Sequence, residues 1–67
     1  MSPKKLATML KTRREETGLT QIDLAKRAKV SQAYVASIEV GTRKNPSLAI
    51  LQRLAKALGV PVTELLQ

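Results

Sequence analysis

The feature that most constrains the fold is a pair of short amphipathic segments separated by only about three residues, between Ala28 and Ser31. Thr20 precedes the first segment, and Asp23 lies three residues after Thr20. This is the spacing at which these residue types cap a helix N-terminus. Ser31 stands in the equivalent place before the second segment. The sequence therefore predicts two short helices joined by a tight turn.

Apolar residues on either side of each cap favour the same structure. Leu19 and Leu24 bracket the first cap at the spacing of a hydrophobic staple, and Val30 and Val35 bracket the second. Two helices joined in this way, with a short second helix and a steep crossing, form the helix-turn-helix supersecondary unit, which we place at about residues 20–40.

Three more helices are predicted around this unit. Apolar periodicity predicts a first helix over 3–17, a fourth ending at Leu58 and a last one over 62–66, with Gly18 and Gly59 as stops and Asn45 or Ser47 as the fourth helix's cap. The inward positions are expected to be Ile22, Leu24, Ala25 and Ala28 in the second helix and Leu48, Leu51, Leu54 or Ala55, and Leu58 in the fourth. The expected fold is an all-α, compact five-helix bundle, one domain over residues 1–67.

Composition narrows the chemistry that such a bundle can support. Hydrophobic residues make up 43% of the chain but Tyr34 is its one aromatic, so the core must be aliphatic. With no cysteine and no histidine, the chain lacks a disulfide, a thiolate zinc site, the commonest metal ligand and a histidine base for its serines. We expect a protein that is not an enzyme and that has no metal and no cofactor.

The charge balance points to a polyanionic partner. Twelve Lys and Arg against five Asp and Glu give a net charge of +7. Positive charge at this density is commonest in proteins that meet nucleic acid. No apolar run approaches the ~20 residues that span a bilayer, and no secretory signal pattern opens the chain. The expected location is the cytoplasm, at the nucleoid, for a bacterial or phage source.

Two stretches carry a family resemblance: LTQIDLAKRAKVSQAYVASIEVGTRKNPSL and LAKALGVPVTELL. Together and in this order they resemble the Cro/repressor-type (XRE-family) helix-turn-helix DNA-binding domain. The resemblance implies a lambda-repressor-like bundle whose third helix enters the major groove, usually as a homodimer on a pseudo-palindromic double-stranded DNA operator. The chain departs from the family at Lys29, where glycine is frequent, at Ser37, where arginine is frequent, and at Pro61, where serine is frequent.

Helix three carries the predicted base contacts. With Val35 and Ile38 turned to the core, a spacing of 100° per residue leaves a face of small side chains outward. The expected base-contacting residues are Gln32, Ala33, Tyr34 and Ser37. Gln32 is the first choice, because a glutamine amide can bond adenine N6 and N7 together. Tyr34 could equally cover the flank of helix three, and DNA shape could supply part of the specificity.

The resemblance also assigns residues outside the face of helix three. It implies phosphate contacts from Gln21, Arg43, Lys44 and Asn45, with Gln21 also steadying Gln32. It further implies a structural ion pair between Arg14 and Glu39, locking helix one to helix three.

The predicted function is a sequence-specific transcriptional regulator, with repression by occlusion as the expected mode. Two alternatives stay open: a protein-interaction module of the same fold that has lost DNA binding, and the antitoxin of a toxin–antitoxin pair. A dimer would have half-sites about 34 Å apart on the duplex. The candidates for its interface are the apolar residues Val60, Val62, Leu65 and Leu66.

Overall fold

The computed structural model describes residues 3–43 and 45–66. Within these ranges all the regular structure is helical, in five helices: α1 (Pro3–Glu16), α2 (Gln21–Ala28), α3 (Gln32–Glu39), α4 (Leu48–Leu58) and α5 (Thr63–Leu66). The predicted all-α, five-helix class is confirmed, and the helix bounds fall within a residue or two of those expected.

Side-chain caps begin the three middle helices. The Thr20 hydroxyl accepts from the Asp23 N–H, and the Asp23 carboxylate accepts from the Thr20 N–H, both at 3.0 Å. Ser31 caps α3 by accepting from the Tyr34 N–H at 3.0 Å, and Ser47, rather than Asn45, caps α4. Each cap satisfies an N–H that the helix itself leaves without a partner.

The reciprocal cap at α2 makes the fold sensitive to acid. Hydrogen bonds from the backbone and side chain of Thr20 hold the pKa of Asp23 below its ordinary value. A depressed carboxyl pKa contributes stability that is present above the unfolded value, about 3.9, and is lost as the pH falls through the folded pKa. We expect wild type and Asp23→Asn to differ in melting temperature near neutral pH and to converge in acid. A difference that persists at the lowest pH would contradict this.

The turn between α2 and α3 places a lysine in an unusual backbone conformation. Lys29 has φ 59° and ψ 45°, the left-handed region, where the resemblance had implied a glycine. The strain of a β-carbon there is about 1 kcal/mol. Arg53 of α4 stabilises the turn, since its Nε donates to the Ala28 carbonyl at 2.9 Å and its Nη2 donates to the Lys29 carbonyl.

Replacing Lys29 by glycine is expected to stabilise the domain. Lys29→Gly relieves the left-handed strain, with a gain of roughly 0.5–1 kcal/mol after the greater freedom of glycine in the unfolded chain is subtracted. Lys29→Ala is the matched control, because it removes the charge and keeps the β-carbon. Urea denaturation followed by circular dichroism measures both, and equal effects of the two substitutions would contradict an origin in backbone strain.

The core is aliphatic and is shared by all five helices. α2 packs against both α3 and α4, while α1 packs against α3 and α5. The largest fully buried side chains are Leu6, Leu10, Leu24, Val35, Ile38, Leu51, Leu54 and Leu65. At ~25 cal/mol per Å² of apolar surface removed from water, these leucines and β-branched residues supply the main driving force for folding.

Two positions predicted to face inward do not. Ile22 is 48% exposed and Leu48 is 54% exposed, so both predictions were wrong. Ile22 lies roughly 110° around α2 from the centre of the face made by Leu24, Ala25 and Ala28. Leu48 is the first residue of α4, at about 70° from the centre of its buried face. The period of each helix was correct, but its predicted apolar face was too wide.

The apolar residues of the C-terminal region pack mainly into the core and do not form a fully exposed patch. Leu65 is fully buried, which overturns its assignment to a dimer interface, while Val60 and Val62 are half-buried against the core. Leu66 is 38% exposed. An ion pair between Arg13 Nε and Glu64 Oε2, at 3.1 Å, also joins α1 to α5. Of the four predicted interface residues, Leu66 is the one most available to a partner.

Candidate nucleic-acid interface

The outward face of α3 has the small side chains that the helical projection predicted. Gln32 and Ala33 are exposed in the first turn, whereas Tyr34 and Ser37 are half-buried. Val40, just after the helix, is 71% exposed. The face therefore presents one long polar side chain at its N-terminal end and little bulk beyond it.

Three residues that the sequence analysis assigned separately, Tyr34, Ser37 and Arg43, form one cluster between α3 and the loop that follows it. The Ser37 hydroxyl donates to the Tyr34 carbonyl at 2.7 Å and accepts from Arg43 Nε at 3.1 Å. The Arg43 guanidinium lies over the Tyr34 ring, with its central carbon 4.1 Å from the ring centroid, in cation–π geometry. Ser37 and Tyr34 thus hold Arg43 against α3.

This cluster changes how its members can act on DNA. The Ser37 hydroxyl already forms hydrogen bonds with Arg43 and with the Tyr34 carbonyl. The main role of this serine is therefore to hold the Arg43 side chain in position. Backbone N–H groups of Thr42 and Arg43 also donate to the Ser37 carbonyl, at 3.0 and 3.1 Å, and hold the loop close to the helix end. No local sequence pattern predicts this contact, since Ser37 lies in α3 and Arg43 lies in the loop after it.

A second network joins α1, the start of α2 and the end of α3. Arg14 donates from Nε to Glu39 Oε2 at 2.6 Å and from Nη2 to Glu39 Oε1 at 3.0 Å. Its Nη1 donates to the Leu19 carbonyl at 2.7 Å. The side chains of Arg14 and Glu39 are only 12% and 3% exposed. The hydrogen bonds that Arg14 donates to Glu39 raise the pKa of the Arg14 guanidinium.

Gln21 belongs to this network. Its amide nitrogen donates to Glu39 Oε1 at 3.1 Å. The resemblance implied that Gln21 steadies Gln32, whereas the hydrogen bond in this structure goes to Glu39 instead. Gln21 is the first residue of α2, where helix N–H groups favour a bound anion. Arg14 and Glu39 therefore fix the position of Gln21 relative to α3.

The loop after α3 carries the remaining predicted phosphate contacts. Arg43 and Asn45 are exposed, and Lys44 lies outside the described residues. Ser37, Thr42, Arg43 and Asn45 line a shallow depression of about 420 Å³. Gln21 and the loop thus both contact the C-terminal half of α3, Gln21 through Glu39 and Arg43 through Ser37.

Other chemistry has little support in the described part of the chain. Residues 3–43 and 45–66 contain no group of three or more acidic, histidine or cysteine residues that could hold a metal ion. No helix within those ranges is long and apolar enough to span a membrane.

The capped α2–turn–α3 unit, packed on α1 and α4 with its small outward face and polar flanks, defines a helix-turn-helix domain. The family model described as helix-turn-helix (HTH_3) matches residues 10–65. The chain belongs to this helix-turn-helix family, as the sequence resemblance had indicated.

Named relatives and solved structures give the same result. The chain is 46% identical over 54 residues to the immunity repressor protein of Bacillus phage phi105, covering 81% of this chain and 37% of the relative. It is 43% identical over 63 residues to the transcriptional regulator DdrOP3 of Deinococcus deserti, covering 94% of this chain and 48% of the relative. The chain thus spans less than half the length of these two relatives.

Two crystal structures match over nearly the whole chain. The restriction-modification controller protein C.AhdI from Aeromonas hydrophila superposes with a TM-score of 0.89 at 35% identity, covering 94% of both chains. SinR, a master regulator for biofilm formation solved in complex with DNA, also gives a TM-score of 0.89, at 34% identity, covering 92% of this chain and 98% of SinR's.

Proposed function

We propose that this chain is the DNA-binding domain of a sequence-specific transcriptional regulator that acts mainly as a repressor. The observation that carries the proposal is the outward face of α3, which has small side chains along most of its length. Gln32 lies at its N-terminal end, and Arg43, held by Ser37 and Tyr34, lies beside it in the following loop. Relatives named as repressors and regulators, and the DNA-bound SinR structure, support the same function. Repression would follow from occlusion of the operator.

Base recognition falls to the exposed residues of α3. B-DNA's major groove is about 12 Å wide and admits an α-helix, and small side chains let the helix approach the base edges closely. Gln32 would bond an adenine, and the methyl groups of Ala33 and Val40 would contact thymine methyls. With few long polar side chains on this face, sequence-dependent DNA shape contributes the rest of the specificity.

Phosphate contacts set the register of α3 in the groove. Gln21 would bond one strand from the N-terminus of α2, and Arg43, Lys44 and Asn45 would meet the other strand from the loop. Such contacts fix orientation and carry no direct sequence information. The +7 charge adds the salt-dependent, sequence-independent part of the affinity.

A homodimer on a pseudo-palindromic operator is the proposed assembly, with Leu66 in its interface. Leu66→Glu is expected to shift a dimer to monomers and to weaken operator binding, because a carboxylate replaces an exposed apolar side chain. Analytical ultracentrifugation measures the first effect and a DNA titration the second. Leu65 is unsuitable for this test because it is fully buried. A monomeric wild type at tens of micromolar, both alone and on its operator, would contradict this interface.

Selection of random duplexes against the purified domain, followed by affinity measurement at several salt concentrations, tests the proposed function. Enrichment of a pseudo-palindrome with half-sites one helical turn apart is expected. Salt-sensitive binding without enrichment would support DNA binding by the basic surface and would contradict sequence reading by α3. No binding at low salt would overturn the proposal and favour the protein-interaction alternative, for which the small α3 face is the supporting observation.

A further inference from the structure

A second cluster of positive charge lies between α2 and α4. The C-terminal end of α2 and the middle of α4 form a cleft of about 570 Å³, which we name the α2–α4 cleft; it is lined by Arg27, Ala28, Lys29, Arg53, Lys56 and Ala57. It shares no residue with the candidate nucleic-acid interface. α2 packs against α3 as well as α4.

The cations that line the cleft form no ion pair within the described residues. None of its lining residues is acidic. The ion pairs that the structure shows elsewhere use Arg13 and Arg14, not the cations of the cleft. Asp23, the acidic residue of α2, bonds Thr20 and lies one turn from Arg27; the Thr20 hydrogen bonds and, more weakly, the charge of Arg27 lower the pKa of Asp23. The cleft is therefore a concave surface with several positive charges and no acidic residue in its lining.

Favourable interaction with the helix dipole accounts for the placement of Arg27 and Lys56, in the last turns of α2 and α4, but it does not require that these cations share one cleft with Arg53. The carbonyl ends of α2 carry a partial negative charge, and Arg53 already donates to two of them, those of Ala28 and Lys29. Arg27, Lys29 and Lys56 are additional and exposed. Lys29 also keeps a left-handed backbone that glycine would adopt with less strain. Strained residues of this kind are concentrated at functional sites.

We propose that the α2–α4 cleft binds an acidic peptide segment of a partner protein. Carboxylates at successive positions of an extended chain would pair with Arg27, Lys29 and Lys56, while the methyl groups of Ala28 and Ala57 leave room for its backbone. Charge complementarity of this type steers association and selects partners. Since the cleft shares no residue with the α3 face, we expect a duplex seated on α3 to leave the cleft accessible, so that a peptide and DNA bind together.

The test uses a fluorescein-labelled octaglutamate peptide and fluorescence anisotropy at low ionic strength. Arg27→Gln/Lys56→Gln removes two exposed cations from the cleft without touching the capping Arg53. Lys4→Gln/Lys11→Gln is the matched control, since it removes two exposed cations from α1 and leaves the same net charge. We expect the cleft variant to lose about tenfold in peptide affinity and the control less than about twofold.

Two further measurements distinguish the cleft from an additional DNA contact. In the wild type, the peptide is expected to shift amide NMR signals of the cleft residues and not those of α3, which also tests the proposal if a variant folds poorly. Both variants are expected to bind a duplex of ~20 base pairs equally, and the peptide is expected to bind the protein–DNA complex. Equal peptide losses in both variants, displacement of the peptide by DNA, or a selective loss of DNA affinity in the cleft variant would each overturn the proposal. None of these outcomes bears on sequence reading by α3.

Discussion

Arg14→Met is expected to destabilise the domain by about 3 kcal/mol or more, because it leaves Glu39 charged and almost fully buried. The substitution removes both guanidinium hydrogen bonds to Glu39 and the one to the Leu19 carbonyl. Gln21 alone cannot neutralise the carboxylate. Since domains are stable by only about 5–15 kcal/mol in total, this is a large share of the free energy of unfolding. Urea denaturation followed by circular dichroism measures the loss.

Two further variants show whether burial of the pair is the cause. Glu16→Gln removes an exposed ion pair with Arg13 at 2.8 Å, and the expected loss is below about 0.5 kcal/mol. Arg14→Lys keeps the charge but not the two-point contact, and we expect an intermediate loss, which also gives a folded variant if Arg14→Met unfolds. Equal losses from Arg14→Met and Glu16→Gln would mean that water screens the Arg14–Glu39 pair as well.

Gln32→Ala is the second substitution with a large expected effect, and the effect is on DNA recognition rather than on stability. Once an operator is selected, this substitution is expected to reduce discrimination at one base pair in each half-site by about 1–3 kcal/mol, because it removes the amide proposed to make a two-point contact to adenine. Gln32 is exposed and its neighbours make the helix cap without it, so the melting temperature should change little. Competition titrations with operators substituted at single positions measure the change.

Lys44→Ala is the matched contrast for Gln32→Ala. A phosphate contact lacks base information, so this substitution is expected to weaken all duplexes alike and to reduce the slope of log affinity against log salt by about 1. If the two variants lost affinity with the same sequence profile and the same salt slope, the division into a base-reading helix and a phosphate-binding loop would be wrong.

Local sequence signals predicted most of the helices for a physical reason. Caps such as Thr20 with Asp23 and stops such as Gly59 act within one helical turn, so their partners lie a few residues away along the chain. The 100° period likewise selected Val35 and Ile38 for the core and Gln32 for the surface. The width of each buried face was less predictable, as Ile22 and Leu48 show, because it depends on which neighbouring helix covers it.

The sequence by itself determined the all-helical class, the capped turn between α2 and α3, and the basic character of the surface, since these follow from short-range spacing and composition. Only the tertiary structure decided that Leu65 belongs to the core, that Gln21 bonds Glu39, and that Ser37 and Tyr34 hold Arg43. It also brought the cations of α2 and α4 together around one cleft. These contacts join residues whose distance in space is set by how the helices pack, and no local pattern in the chain encodes that packing.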